Sequence, residues 1–568
     1  MDGMDDPREG GRMSESPHLD AYHFYENEYE SYDDLLEEFE WEAPENFNMA
    51  SYLCDRWADE ERGTALFFET EAGERETYTF SELRETSNRL ANYLASEGVA
   101  RGDRVGVNAP QKPVTLLTHL ACWKLGAVSI PLSTLFGPDA LEYRLDDSAA
   151  VACVVDGSNI EAFRDTREKL PAVETVLTVD CEPSPEERDL WEATEGSSSE
   201  FETVETNAED DAIIIYTSGT TGEPKGVRHA HRVILGHLPL FVTTFCNMQI
   251  DENDVFWTPA EWAWVASLFD VLFPALYYGR PVLAYDGGPF SPEKAFSLIE
   301  RYEVTSLFAP ATALRMMMQV ENPEEHHQLD SIRVIASGGE SLGQSIVEWA
   351  EQTFDGAAVH EGYGQTEANV IVGDCTALME FREGTMGRAG PGHEIAILDP
   401  ESSEPVEIGE IGEIAVRYED DLVCMKEYLN KPEKTARKIR DDWLRTEDLG
   451  SMDEDGYIAF KSRADDVIIS AGYRIGPEEV EDHLATHEAV ADAAVIGVPD
   501  EERGEVPKAF VVLADGTASD GLEAELQSFV KERLAAYEYP REVTVVDELP
   551  KTATGKIRRE SLREREGI

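Results

Sequence analysis

Lysine is nearly missing from the first fifth of the chain, where none precedes Lys112. In all 568 residues, 48 basic side chains face 116 acidic ones, for a formal charge of −68 at pH 7. A surface of that sign repels nucleic acid and anionic bilayers, so neither is expected as a partner. The acids are spread through every segment rather than gathered in one tail, which reads as a solvated coat adapted to molar salt. Cysteine is sparse as well: Cys54, Cys122, Cys153, Cys181, Cys246, Cys375 and Cys424 form no CxxC pair and no Cys/His cluster. A disulfide framework and a structural zinc site are thereby disfavoured, and a reduced, cytoplasmic setting is expected. No apolar run reaches the ~18 residues a membrane helix needs; the most apolar stretch, 268–278, is interrupted by Asp270 and Pro274. The N-terminus has no basic start and no apolar centre, so a signal peptide is not expected. A soluble protein follows, with its oligomeric state open and a homo-oligomer compatible.

What is present suffices for several cores. The length exceeds what one core serves, and 42% of residues are hydrophobic. Residues 1–45 are acidic with interspersed Tyr and Phe, and predict a frayed extension leading into a surface helix. Thr79 and Glu82 have capping-box spacing, and Leu83, Leu90, Ala91 and Leu94 follow at helical intervals up to Gly98. Strands are predicted at 104–107, 127–131 and 150–155, alternating with helices at 114–125 and 140–147. That alternation implies α/β units on a largely parallel sheet. Residues 182–207 read as a surface connection, and the aromatic-rich stretch 257–278 reads mostly as a core helix.

One stretch organises the rest. Residues 216–231 read YTSGTTGEPKGVRHAH after the apolar run Ala212, Ile213, Ile214, Ile215. A buried strand that breaks into Gly, Ser and Thr can turn backbone N–H groups toward an anion. Gly219 and Gly222 permit close backbone approach, Thr217, Ser218, Thr220 and Thr221 supply hydroxyls, and Lys225 supplies a point charge. The kinase-type P-loop needs Gly-Lys-Ser/Thr together, and Lys225 instead follows Glu-Pro, so this is a phosphate loop of another kind.

This stretch is similar to the signature loop of the adenylate-forming (AMP-binding) superfamily, which contains the acyl-CoA synthetases. The later motifs recur in that family's order. Gly338, Gly339 and Glu340 match a loop lying against adenine in the family. His360 to Glu367 reads HEGYGQTE, in which Tyr363 can stack on adenine, the Thr366 hydroxyl can reach the α-phosphate, and Glu367 can ligate Mg²⁺. Glu361, Gly362, Gly364 and Gln365 belong to the same nucleotide-binding motif. Asp448 matches the carboxylate that takes both ribose hydroxyls, and Arg463 a ribose- and phosphate-contacting Arg. Asp465 matches the hinge, Lys556 the adenylation lysine, and Arg474 a further cation for the phosphates. Ser470, Ala471, Gly472 and Tyr473 match the pantetheine path of coenzyme A, while Arg503, Lys531 and Tyr539 match positions used for the CoA nucleotide. Trp264 matches an aromatic beside the acyl pocket. At Gly364, acetate-restricted members carry Trp, so Gly there is expected to leave room for a longer acid, as in the medium-chain enzymes.

The resemblance implies a large N-terminal domain, 46–463, and a small mobile C-terminal α/β domain, 464–568. The latter is read as helix 477–487, strands 493–497 and 508–513, helix 521–534 and strand 542–546. It further implies ATP, CoA and Mg²⁺ as cofactors and a small carboxylic acid as substrate, passing through acyl-AMP to acyl-CoA with catalytic roles for Lys225, Thr366, Glu367, Arg474 and Lys556. The acidic composition is like that of a haloarchaeal protein. An adenylation enzyme loading a carrier protein and a non-enzymatic nucleotide sensor are the alternatives.

Overall fold

The computed structural model describes residues 19–60, 62–217, 224–339, 342–463, 466, 468–470, 473–487, 489–500, 503–514, 521–531, 533–534, 539–551 and 557–568. The helix Phe80–Ser96 starts as the sequence predicts: Thr79 accepts from Glu82 N, and Glu82 answers on the Thr79 backbone. Leu83, Leu90, Ala91 and Leu94 are all buried beneath it. Proline at the first turn opens the next two helices, Pro113–Leu125 and Pro138–Asp147, where its missing N–H costs nothing.

Two large sheets and a smaller one make up the N-terminal part. The first runs in the order Glu427–Tyr428, Lys225–Ala230, Asp211–Thr217, Val128–Pro131, Arg104–Asn108, Ala152–Asp156, Thr175–Val179 and Arg188–Asp189. From Asp211–Thr217 onward its neighbours are parallel, and only the Lys225 side is antiparallel. The second sheet holds nine strands and places Ala358–Gln365 between Val334–Gly338 and Ala368–Gly373. Its interior pairs are parallel and its rims antiparallel. The third, built from Ile395–Leu398, Gly412–Arg417, Ile439–Arg440, Trp443–Met452 and Ile458–Arg463, is antiparallel throughout. Here the expectation of largely parallel sheets does not hold, because most paired strands follow one another through connections that are short or hold no helix, and so carry no parallel crossover. The stretch 257–278 also differs: it begins in the strand Phe256–Trp257 and only later becomes helical, at Ser267–Leu272 and Phe273–Tyr277.

The N-terminal region is corrected most. Tyr22, Phe24, Tyr32 and Leu35 are buried in the main core, so residues 20–38 are a packed strap and not a surface helix. Tyr278 Oη donates to Tyr22 O, Tyr32 Oη to Ala389 O, and Trp41 Nε1 to Gly392 O. Acidic residues in this strap point outward while the aromatics point in, and composition alone averages the two.

Beyond residue 463 a smaller sheet carries Val490–Asp500, Gly504–Leu513 and Glu542–Val545 with helices Pro477–Ala485 and Leu522–Lys531, within a few residues of expectation. Among the described residues no helix is long and apolar enough to cross a membrane.

Candidate active site

Thr217 and Lys225, which flank the phosphate-loop motif in sequence, face each other across an antiparallel pair. Ser218, Gly219, Thr220, Thr221 and Gly222 themselves lie outside the described residues. The next strand in the sheet pairs Tyr428 with Val227 and brings the phenol to the lysine. Lys225 Nζ donates to Tyr428 Oη at 3.1 Å and sits 4.5 Å from the ring centre. Tyr428 Oη donates in turn to Glu367 Oε1 at 2.5 Å, and Lys225 Nζ is 3.6 Å from the same carboxylate. Burial pushes Lys225 below its usual range, with Glu367 opposing. Burial would raise Glu367, but Lys438, Lys225 and the Tyr428 hydroxyl together hold it below the ordinary carboxylate range. The site thus keeps a buried, ionised carboxylate beside a lysine whose charge burial disfavours.

A second cluster adjoins the first through Lys438 and Gln365. Lys438 Nζ, itself buried, donates to Gln365 Oε1 at 3.0 Å and to Thr446 O at 3.1 Å. Gln365 Nε2 donates to Asp448 Oδ2 at 2.7 Å, where Tyr363 Oη also donates at 2.7 Å. Arg463 Nη1 approaches Asp448 Oδ1 at 3.3 Å across the paired strands that place Asp448 opposite Arg463. Glu447, just before Asp448, takes a left-handed backbone (φ 65°), which turns the carboxylate out of the regular ladder. Burial raises Asp448, with Arg463 opposing.

The Thr366–Glu367 turn joins Ala358–Gln365 to Ala368–Gly373 and is held from behind. The Nε2 of His229 meets Thr366 O at 2.7 Å, and burial drops that imidazole to about 4, so it is neutral and donates. Asn369 Nδ2 reaches Asp270 Oδ1 at 2.5 Å and His237 Nε2 at 3.1 Å. On the other side, Glu361 lies one strand from Ser337. Its Oε2 accepts weakly from Leu342 N at 3.4 Å, while its backbone N donates to Asp374 Oδ2. Burial and Asp374 push Glu361 up to about 8, and burial pushes Asp374 up to about 7. Among the described residues, Thr217 Oγ1 and Ser337 Oγ are buried with no hydrogen-bond partner, as hydroxyls that meet a ligand would be.

Two glycines are needed for close approach. A Cβ on Gly338 would stand 2.6 Å from Gly362 O, and one on Gly364 would stand 2.1 Å from Val370 N. The second value corrects the expectation that Gly364 leaves room for substrate: the space is filled by the neighbouring strand's backbone, at a bulge where Val370 itself has φ 45°. Trp264, the other acyl-pocket candidate, is half-buried and meets Phe136 edge-on at 6.2 Å between ring centres.

Comparison with known proteins follows this geometry. The profile of the AMP-binding enzyme family matches residues 54–429, and that of the AMP-binding enzyme C-terminal domain matches residues 479–556. This chain belongs to the AMP-binding enzyme family. An uncharacterized acyl-CoA ligase of Bacillus subtilis, YtcI, is 36% identical over 529 residues, covering 92% of this chain and 97% of its own length. Human mitochondrial acyl-coenzyme A synthetase ACSM4 is 35% identical over 544 residues, with 92% and 91% covered. The crystal structure of the anthranilate CoA ligase AuaEII in complex with anthranoyl-AMP superposes with a TM-score of 0.85 at 28% identity, covering 92% of this chain and 98% of that one.

Within this AMP-binding enzyme, Thr217, Lys225, Tyr363, Gln365, Thr366, Glu367, Asp448 and Arg463 are drawn into one neighbourhood, with Gly338, Gly339, Glu361 and Gly362 along its flank. Glu340, Asp465, Ala471, Gly472 and Lys556 lie outside the described residues. Ser470 is buried and pairs with Tyr473 at the end of a short hairpin that also pairs Ile469 with Arg474. Lys531 Nζ stands 5.1 Å over the Tyr539 ring, and the Arg541 guanidinium stands 4.2 Å over it, so two of the CoA-nucleotide candidates do meet. Arg503 is fixed by its backbone N–H to Asp500 Oδ1. Lys438, Tyr428 and His229 escape the sequence reading, although the scarcity of lysine marks Lys438 as one to examine. Glu367 is the one metal candidate, and among the described residues no group of three or more His, Cys, Asp or Glu could hold an ion. A hard cation here would take Glu367 and complete its shell with phosphate oxygens and water, which suits the ionised state of that carboxylate.

Proposed function

We propose that this chain is an AMP-forming acyl-CoA synthetase acting on carboxylic acids larger than acetate. The observation that carries the reading is the pair of adjoining networks, Lys225–Tyr428–Glu367 and Lys438–Gln365–Asp448, with the Lys438 charge acting on Glu367. It supplies a cation for phosphate, an ionised carboxylate for Mg²⁺ and a second carboxylate for ribose within one site. In the first step a carboxylate oxygen attacks the α-phosphorus of ATP and pyrophosphate leaves; in the second the CoA sulfur attacks the acyl carbon and AMP leaves. No protein nucleophile is needed, so the protein's part is positioning and charge neutralisation. When bound, Mg²⁺ would offset charge on the phosphate oxygens. Thr217, Lys225 and Thr366 would orient the phosphates, Tyr363 and the Gly338–Gly339 turn would flank adenine, and Asp448 with Arg463 would hold ribose.

By resemblance, Lys556 and Arg474 would serve adenylation, and Ser470, Ala471, Gly472 and Tyr473 would pass the pantetheine after rotation about Asp465. The domain boundary is accordingly set near residue 464. Arg503, Lys531 and Tyr539 would take the CoA nucleotide, and the meeting of Lys531 with Tyr539 supports that part. Preference for a larger acid is supported by the anthranilate CoA ligase among the structural neighbours and by the motif resemblance to medium-chain enzymes, and no longer by Gly364. The decisive experiment measures AMP release with ATP, CoA and a panel of acetate, octanoate and benzoate. Acid- and CoA-dependent release with octanoate or benzoate above acetate is expected; release with acetate alone, or none that depends on CoA, would overturn the reading.

The charge of −68 supports a cytoplasmic enzyme of a salt-rich cell. Screening over ~3 Å at 1 M salt, against ~30 Å at 0.01 M, relieves self-repulsion. Activity and melting temperature should both rise with KCl toward molar concentrations, and full activity after dialysis into ~10 mM buffer would count against this.

A further inference from the structure

The small domain contains a buried guanidinium on which three separate parts of the chain converge. Arg559 opens the helix Arg559–Glu566, three positions after Lys556. Its Nε donates to Glu481 Oε1 at 3.2 Å and its Nη2 to Glu481 Oε2 at 2.6 Å, a forked contact with the helix Pro477–Ala485. Glu478, on the same helix, accepts from Nη2 at 3.4 Å. The Nη1 donates to Asp466 Oδ2 at 3.1 Å, and Arg563 Nη2 takes Asp466 Oδ1 at 2.7 Å. Arg559 and Asp466 side chains are each only 10% exposed. Burial works against the guanidinium charge, but Glu481 and Glu478 more than reverse it and hold Arg559 above its ordinary range. Burial pushes Glu478 up to about 8 and raises Glu481 as well, with the Arg559 charge opposing in both cases.

The residues bracketing 552–556 are closed off by the same corner of the domain. Lys551 and Ile557 form an isolated antiparallel bridge, and Arg558 N donates to Pro550 O at 2.8 Å. Pro550, Lys551, Ile557 and Arg558 thus form a stem, and Arg559 follows it directly in sequence. Asp466 follows the hinge candidate directly in sequence. A buried fork–fork pair fixes orientation as well as distance, which a lone surface contact would not.

We propose that Arg559 is a positioning residue that locks the stem carrying Lys556 to Asp466 and Glu481, so that rotation at the hinge is delivered to the lysine as a rigid movement. This rests on the adenylation role proposed above for Lys556. Loss of the lock leaves the lysine tethered but misplaced, and a misplacement of about 1 Å is enough to cost about a hundredfold in rate. The thioester half-reaction, which does not use that lysine, is spared.

The test uses the full-length protein in molar KCl and follows two half-reactions: pyrophosphate release from octanoate and ATP, and octanoyl-CoA formation from supplied octanoyl-AMP and CoA. Arg559→Gln should lower the first about 10- to 100-fold, through kcat and with KM for ATP little changed. The second should stay within about threefold of wild type. Arg559→Lys, which keeps the charge but not the fork, should recover part of the loss. Equal losses in both half-reactions would make Arg559 a merely structural residue, and no loss in the first would overturn the proposal outright. Should Arg559→Gln not fold, Asp466→Asn decides, with the same split expected and wild-type rates in both halves overturning it. Lys556→Ala is measured in parallel: if it leaves pyrophosphate release intact, the underlying role of the lysine fails, whereas a loss there without one in Arg559→Gln removes only the lock.

Discussion

Tyr363 Oη donates to Asp448 Oδ2 at 2.7 Å, so the carboxylate proposed to receive ribose is already oriented by the ring proposed to flank adenine. Removing the phenol leaves the Asp448 carboxylate with the side chains of Gln365 and Arg463 as its hydrogen-bond partners among the described residues. A hydrogen bond to a charged group contributes about 1.5–3 kcal/mol. Tyr363→Phe should therefore raise KM for ATP by about tenfold or more, and Asp448→Asn by more still. Pyrophosphate release at varied ATP checks this; an unchanged KM in Asp448→Asn would remove the ribose assignment.

Lys438 adjoins both halves of the site from a buried position and is the cation that does most to hold Glu367 ionised. Lys438→Met keeps the packing and deletes the charge. Glu367 should then titrate higher, so the acidic limb of the pH profile of kcat/KM should move to higher pH, with about 10- to 100-fold lower activity at pH 7. A profile with its acidic limb unmoved would show that Lys438 acts on Gln365 alone.

Glu361 and Asp374 supply a pH dependence of stability. Burial raises the folded-state values to about 8 and about 7, from ordinary values of 4.5 and 3.8. A raised carboxylate stabilises the fold in full below its unfolded value, and that contribution drains away as pH climbs to the folded value. Between pH 5 and 8 the wild-type protein should lose stability on this account, by an amount on the order of a few kcal/mol. Glu361→Gln, which retains an acceptor for Leu342 N, should show a smaller fall in melting temperature over that window at constant KCl. Parallel curves for the two proteins would contradict the raised values.

Gly364 allows a sharper statement than the sequence did. With backbone N of Val370 only 2.1 Å from an added Cβ, even alanine must displace the neighbouring strand. Gly364→Ala should lower the melting temperature, at a cost of about 1–3 kcal/mol, and depress activity on every acid alike. A variant that melts as wild type and merely prefers shorter acids would restore the reading of that position as pocket wall.

Much of the fold was legible because its signals are local. The apolar run at Ala212–Ile215 is the buried strand it resembles, and Thr79 with Glu82 marks a helix start by reciprocal hydrogen bonds that need only adjacent chain. The site was legible as ordered motifs, for each motif carries its own chemistry. What joins the motifs was not: Lys438 meets Gln365 across 73 positions, Tyr428 meets Lys225 across 203, and His229 meets Thr366 across 137. Such contacts obey no period. The acidic strap was misread for the opposite reason, since its charges mark a solvated face while its aromatics, which decide its place, find their partners far along the chain.

That strap has a consequence for synthesis. Tyr32 finds its acceptor 357 positions downstream, and Trp41 finds its own 351 positions downstream. At ~5–20 residues per second a ribosome needs roughly 20–70 seconds to deliver those carbonyls. Throughout that interval Tyr32 and Trp41 lack these acceptors, and the flanking carboxylates help to keep nascent chains apart.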